Sequence, residues 1–143
     1  MNILITGASG LIGTALTNYF QAKGDRVYPM VREHDSEQPF YWQPDQELIH
    51  YDETIDIDVV INLAGYGLDK KRWTPAIKEK ILKSRVKSTQ LLTRKLLQVD
   101  NKPDLLISAS ATGFYGNTGN RIVDEKGRKG TGFLSDVCRD WEE

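Results

Sequence analysis

The chain has 143 residues, with 19 Lys+Arg against 20 Asp+Glu, one cysteine, 39% hydrophobic and 27% charged residues. A formal charge of −1 argues against a generally basic nucleic-acid binder, and no apolar run approaches the ~20 residues needed to span a bilayer. Cys138 has no second cysteine to pair with, and no signal-peptide pattern opens the chain, so one domain over residues 1–143 in a reducing cytoplasm is expected.

Asn2 to Thr6 is a short apolar run that predicts a buried strand. A glycine turn follows, after which Ile12, Ala15, Leu16, Tyr19 and Phe20 recur at helical spacing, with Gly24 as the stop. Arg26 to Val31 reads as a second strand. The polar stretch 33–56 is irregular, with a short strand at Phe40-Tyr41-Trp42. Asp58 to Leu63 is the next strand, closed by Ala64-Gly65. Thr74-Pro75 supplies an N-cap and a first-turn proline for a long helix to about Val99. Asp104 to Ser108 is a further buried strand, Gly113 to Gly132 a glycine-rich loop, and Phe133 opens a last helix. Strands alternating with helices predict an α/β, doubly wound parallel sheet.

Charge is unevenly spread. Glu33 to Asp58 carries acids and no Lys or Arg, whereas Lys70 to Lys95 carries cations against Glu79 alone. The cations are threaded among Ile77, Ile81, Leu82, Val86, Leu91 and Leu92, as in a helix docked on a core with one solvated face. No aromatic residues alternate with them to stack bases, so neither nucleic acid nor membrane is an expected partner.

Gly7, Gly10 and Gly13 lie between the first strand and first helix. Gly7 permits a tight turn, Gly10 lets a pyrophosphate approach the backbone, and Gly13 allows close helix–strand packing. The helix N-terminus then offers free N–H groups to phosphates, with Ser9, Leu11 and Ile12 beside them. Three such glycines at this place point to dinucleotide binding. At the tip of the second strand, Arg32 suits a 2′-phosphate because its planar fork can donate twice, whereas the adjacent Glu33 could serve a 2′-hydroxyl. NADP is the expected cofactor, with NAD as the alternative.

These residues carry a resemblance. Thr6 to Gly13 resembles the glycine motif of extended short-chain dehydrogenases/reductases. Asn62-Leu63-Ala64-Gly65 resembles the motif ending their fourth strand, beneath the adenine and ribose. Ser108 to Gly116 is similar to the catalytic-serine segment of sugar-nucleotide epimerases. Lys71-Arg72-Trp73-Thr74, Ser84-Arg85-Val86 and Cys138-Arg139-Asp140-Trp141-Glu142 are similar to an atypical epimerase branch. The resemblance implies an NAD(P)-binding Rossmann fold, with Leu63, Ala64, Gly65 and Ser108 joining the cofactor site. Ser110 would be the substrate-orienting serine, and Arg85 would match an asparagine that props the site in related members. It also implies a polypeptide about twice as long, leaving the fold truncated after the fifth strand. The edge at Leu105-Leu106-Ile107 would then invite association or a homo-oligomer.

One departure matters. The superfamily's Tyr-x-x-x-Lys pair aligns with Phe133 and Val137, neither of which exchanges protons. Tyr115 is the nearest alternative donor, although a packed loop aromatic is the plainer reading. Arg85 could pair with a substrate anion or form a helix-surface ion pair. Trp73 fits packing at the helix start better than ligand stacking. Cys138 reads as a core thiol, and His34 and His50 lack neighbours at metal-ligand spacing. The expected function is an NADP-dependent epimerase-like oxidoreductase acting on a nucleotide-sugar-like or other polar small molecule. The alternatives are a catalytically silent dinucleotide sensor and, more weakly, a nucleic-acid module using the basic helix.

Overall fold

The computed structural model describes residues 1–32, 38–69 and 71–143. Glu33 and His34, named above, lie outside the described residues. The strands are β1 (Asn2–Thr6), β2 (Arg26–Met30), β3 (Phe40–Gln43), β4 (Leu48–Tyr51), β5 (Val59–Asn62) and β6 (Leu105–Ser108). The helices are α1 (Leu11–Ala22), α2 (Pro75–Gln98) and α3 (Phe133–Glu142). Four strands form a parallel sheet in the order β2-β1-β5-β6. The antiparallel β3–β4 hairpin joins its β2 side through a parallel bridge between Val31 and Tyr41, with Trp42 N–H donating to the Val31 carbonyl at 2.9 Å. The expected α/β doubly wound sheet is what the chain forms.

The alternation of side chains along β1 sorts the core into two layers. Ile3 and Ile5 point to one face with Ile61, and Leu16 and Phe20 of α1 pack there. Leu4 points to the other with Val60, meeting Leu91, Leu92 and Leu96 of α2 and Phe40, Trp42 and Tyr51 of the hairpin. The α2 start forms as its residues dictate: Thr74 Oγ1 accepts from Ile77 N–H at 3.3 Å, and Pro75 occupies the first turn.

The two charge blocks meet in space. Arg94 of α2 pairs with Glu47 at 3.7 Å and Lys95 with Glu53 at 2.7 Å, so part of the basic helix face is neutralised by the acidic hairpin region. Among the described residues, no helix is long and apolar enough to cross a membrane.

Tyr51 is the costly element of the hairpin core. Its hydroxyl is buried without a hydrogen-bond partner among the described residues. Burial, then the charges of Glu53 and Asp56, push its pKa up to about 12 from 10.0. The protein therefore loses stability as pH rises from 10.0 toward about 12, because the phenol ionises first in the unfolded chain, whereas below pH 10.0 this linkage costs nothing. Tyr51→Phe is therefore expected to raise stability by about 1 kcal/mol at neutral pH, by removing an unpaired hydroxyl. It should also flatten the alkaline limb, and urea titrations at pH 7 and 11 read both effects.

Candidate dinucleotide site and its surroundings

The carboxyl ends of β1, β5 and β6 meet around Asn62, which is fully buried. Thr6 Oγ1 donates to Asn62 Oδ1 at 2.7 Å, and Asn62 Nδ2 donates to Thr89 Oγ1 at 2.9 Å and Ser108 Oγ at 3.1 Å. Trp141 Nε1 of α3 donates to the same Thr89 oxygen at 3.0 Å. The Leu63 and Ala64 N–H groups both donate to Thr6 Oγ1, at 3.0 and 3.1 Å. This network fixes the floor of the site by satisfying every member rather than by apolar packing.

Above that floor the glycine turn leaves a cleft of about 590 Å³, lined by Gly7, Ser9, Gly10, Arg32, Leu63, Ala64 and Gly65 among others. Gly7 has φ of 69°, and a Cβ there would lie 2.8 Å from the Leu63 carbonyl oxygen. A Cβ on Gly13 would lie 2.3 Å from the Gly7 oxygen and 2.7 Å from Ala8 Cα. The turn thus closes only without side chains, and its N–H groups and the start of α1 face an open cradle. Gly10 caps α1, no side chain bonds the first turn, and no acid sits in it. Leu11 is 92% and Ile12 62% exposed at this rim, apolar side chains left uncovered by the fold. A group with a pyrophosphate for the free N–H donors and flat rings for the rim fits these residues. Arg32 borders this cleft and a second one of about 540 Å³ that is also lined by Lys80 and Lys83.

Of the expected catalytic residues, Arg85 lies against the site. Its guanidinium donates to the Tyr66 and Ile81 carbonyls at 3.1 and 3.2 Å and sits 5.2 Å over the Trp141 ring. A Cβ on Gly65 would come within 3.1 Å of its Cζ, so it lies directly behind the cleft wall. Burial lowers its pKa, and no carboxylate pairs with it among the described residues. A helix-surface ion pair is thereby replaced by a half-buried cation held on backbone carbonyls.

Ser110 stands just beyond β6 and donates to Glu142 Oε1. Sequence reasoning gave Glu142 no role; it lay in a string that carried resemblance, but nothing linear joins it to a serine 32 residues away. Tyr115 packs edge-on to Phe114, with ring centroids 5.4 Å apart, and a Cβ on Gly127 would lie 2.9 Å from its ring. These are the contacts of a packed loop aromatic. Trp73 Nε1 donates to the Leu68 carbonyl at 2.9 Å and its ring meets Phe133 at 5.9 Å. Phe133 and buried Val137 thus serve packing. The Cys138 thiol is buried, faces the Ala111 carbonyl at 3.5 Å, and is pushed up in pKa chiefly by burial. No group of three His, Cys, Asp or Glu residues converges among the described residues.

Comparison with known proteins places this geometry. An epimerase family protein of Mycobacterium leprae is 38% identical over 141 residues, covering 98% of this chain and 45% of that protein. A human epimerase family protein solved with NADPH superposes with a TM-score of 0.82 at 25% identity, covering 99% of this chain and 48% of the other. A nucleoside-diphosphate sugar epimerase from Corynebacterium glutamicum gives a TM-score of 0.80 at 36% identity, with 99% and 29% covered. The chain spans about half the length of the curated relatives it matches. Residues 3–131 match the NAD dependent epimerase/dehydratase family, and the chain belongs to that family.

Proposed function

We propose that this chain is the dinucleotide-binding part of an NADP-dependent, epimerase-like oxidoreductase acting on a nucleotide-sugar-like or other small polar substrate. The turn at Gly7, Gly10 and Gly13, which closes over the start of α1 only because Gly7 and Gly13 carry no Cβ to strike neighbouring backbone, is the observation that carries the reading. Backbone N–H groups at the start of α1 would hold the pyrophosphate. Leu63, Ala64 and Gly65 would floor the adenosine side, and Ser108 would brace the floor through Asn62. When bound, a nicotinamide supplies reversible hydride acceptance. Ser110 orients a substrate hydroxyl or carbonyl from the loop after β6, where ligands meet parallel sheets. Arg85 offers its unpaired charge behind Gly65, either to an anionic substrate group or to the field across the site.

Arg32 at the junction of the two clefts supports NADP over NAD, as does the NADPH in the human relative. The nucleoside-diphosphate sugar epimerase of Corynebacterium glutamicum supports the substrate class. Arg32→Ala is expected to raise the NADPH dissociation constant about 10-fold or more, the size of a charge-assisted pair of bonds, and to change NADH little. Isothermal titration with both cofactors decides; equal losses would remove the NADP assignment.

A second reading, a dinucleotide sensor without catalysis, is favoured by the apolar Phe133 and Val137 where the superfamily's proton-transfer pair would stand. Stereospecifically deuterated NADPH offered with carbonyl substrates separates the two. Label transfer that is lost in Ser110→Ala marks an enzyme, and tight binding without transfer marks a sensor.

A further inference from the structure

We propose that Glu142 takes and returns the substrate proton through Ser110, so that a serine–carboxylate relay does the work for which Phe133 and Val137 are unfit. The proposal rests on the oxidoreductase reading above. Ser110 Oγ donates its hydrogen to Glu142 Oε1. That hydrogen bond leaves the oxygen lone pairs of the serine as the acceptor offered to anything entering from solvent. Both residues are exposed, so a ligand can reach them.

The position of Glu142 is built, not incidental. Trp141 beside it is buried and bonded to Thr89. One turn earlier Cys138 docks on the Ala111 carbonyl, and Ser135 Oγ donates to the Gly113 carbonyl at 3.0 Å. Three successive turns of α3 are therefore fastened to α2 or to the loop that carries Ser110. The last turn of α3 is thereby held within reach of that serine.

The proton balance is simple. As a carbinol is oxidised, its O–H bond breaks and the proton passes to Ser110 Oγ while the serine proton passes to Glu142 Oε1. The carbon–hydrogen bond pair leaves as hydride to the nicotinamide dinucleotide, and a carbonyl remains. Reduction runs the same transfers backwards. The ionisable groups around Glu142 are Cys138, Arg139 and Asp140 on α3, Glu143 just after it, and Arg85 from α2, whose guanidinium lies over Trp141. Arg139 is engaged by Asp140 and Asp136.

The test uses the polypeptide as naturally expressed, with NADP⁺ and UDP-glucose as the oxidation probe. Glu142→Gln and Ser110→Ala should each lower kcat on the order of 100-fold, with the NADP⁺ dissociation constant within about 2-fold. The double variant should be no slower than either single one, since the two groups act in series. Glu142→Asp should recover part of the rate. Independently of turnover, the ¹³C NMR resonance of the Glu142 carboxyl should move in Ser110→Ala, which removes the hydroxyl that donates to it. An unmoved resonance, or a Glu142→Gln enzyme that keeps its rate, overturns the relay alone. Failure of the unmodified protein to bind either dinucleotide overturns the oxidoreductase reading and the relay with it.

Discussion

Gly13→Ala is expected to abolish dinucleotide binding and to destabilise the chain by roughly 3 kcal/mol, the upper end of overpacking costs. The added Cβ would meet the Gly7 oxygen at 2.3 Å and Ala8 Cα at 2.7 Å, both backbone atoms that no rotamer change can move aside. Relief requires either sliding α1 along the sheet, away from Ile3, Ile5 and Ile61, or opening the turn that forms the cradle. The first loses packing and the second loses the binding geometry. Gly24→Ala is the matched control: φ is +85° but nothing lies within 4 Å, so only local strain of about 1 kcal/mol is expected, with binding intact. Thermal melts and NADPH titrations of the two variants should diverge accordingly. If Gly13→Ala bound NADPH normally, the cradle would not be where the pyrophosphate sits.

Asn62→Leu should be comparably severe for a different reason. The substitution keeps volume but strips an acceptor from Thr6 and a donor from Thr89 and Ser108. Thr6 is 0% exposed, so water cannot replace the lost partner. Unsatisfied buried groups cost ~1–3 kcal/mol each, which gives a total of roughly 3–4 kcal/mol because Ser108 is exposed and recovers solvent. A melting temperature lower by roughly 10 °C follows for a domain of this size. Thr6→Val should show a related loss, since Leu63 and Ala64 N–H both rely on its hydroxyl. A double-mutant cycle between positions 6 and 62 should then report coupling above 0.5 kcal/mol; strict additivity would mean the two hydroxyl and amide groups do not act as one unit.

The parts of this fold legible in the sequence are those encoded over a few residues. β1 and β5 show as apolar buried runs, α2 shows through Thr74-Pro75, and the dinucleotide cradle shows through glycine spacing; β6 also shows as an apolar run, but it forms the sheet edge beside β5 and its Leu105, Leu106 and Ile107 are exposed, not buried as expected. β4 was not legible. Leu48 and His50 are exposed, and the turn before it places Glu47 at φ 53°, a left-handed position where glycine or asparagine would have been the usual signal. The acidic and basic blocks looked like a partner surface or a solvated face, and they prove to be partly each other's partners through Glu47, Glu53, Arg94 and Lys95. The surroundings of Ser110 were illegible for a stricter reason. Ser110 meets Glu142, and Thr89 meets Trp141, over separations of 32 and 52 residues. No spacing rule reaches that far, and only the docking of α3 on α2 brings those pairs together.

β1 is synthesised before either of the two strands that pair with it. Ile3 pairs with Val27 on one side and Val59 on the other. At ~5–20 residues per second on the ribosome, the first neighbour follows by roughly 1–5 s and the second by roughly 3–11 s. During that interval Ile3, Leu4 and Ile5, all nearly inaccessible in the finished fold, have no sheet to enter. The nascent chain therefore carries a wholly apolar tripeptide unpaired for seconds before the strand that closes over it exists. Slow codons between β2 and β5 would lengthen that window, and a holdase-type chaperone would find this segment uncovered.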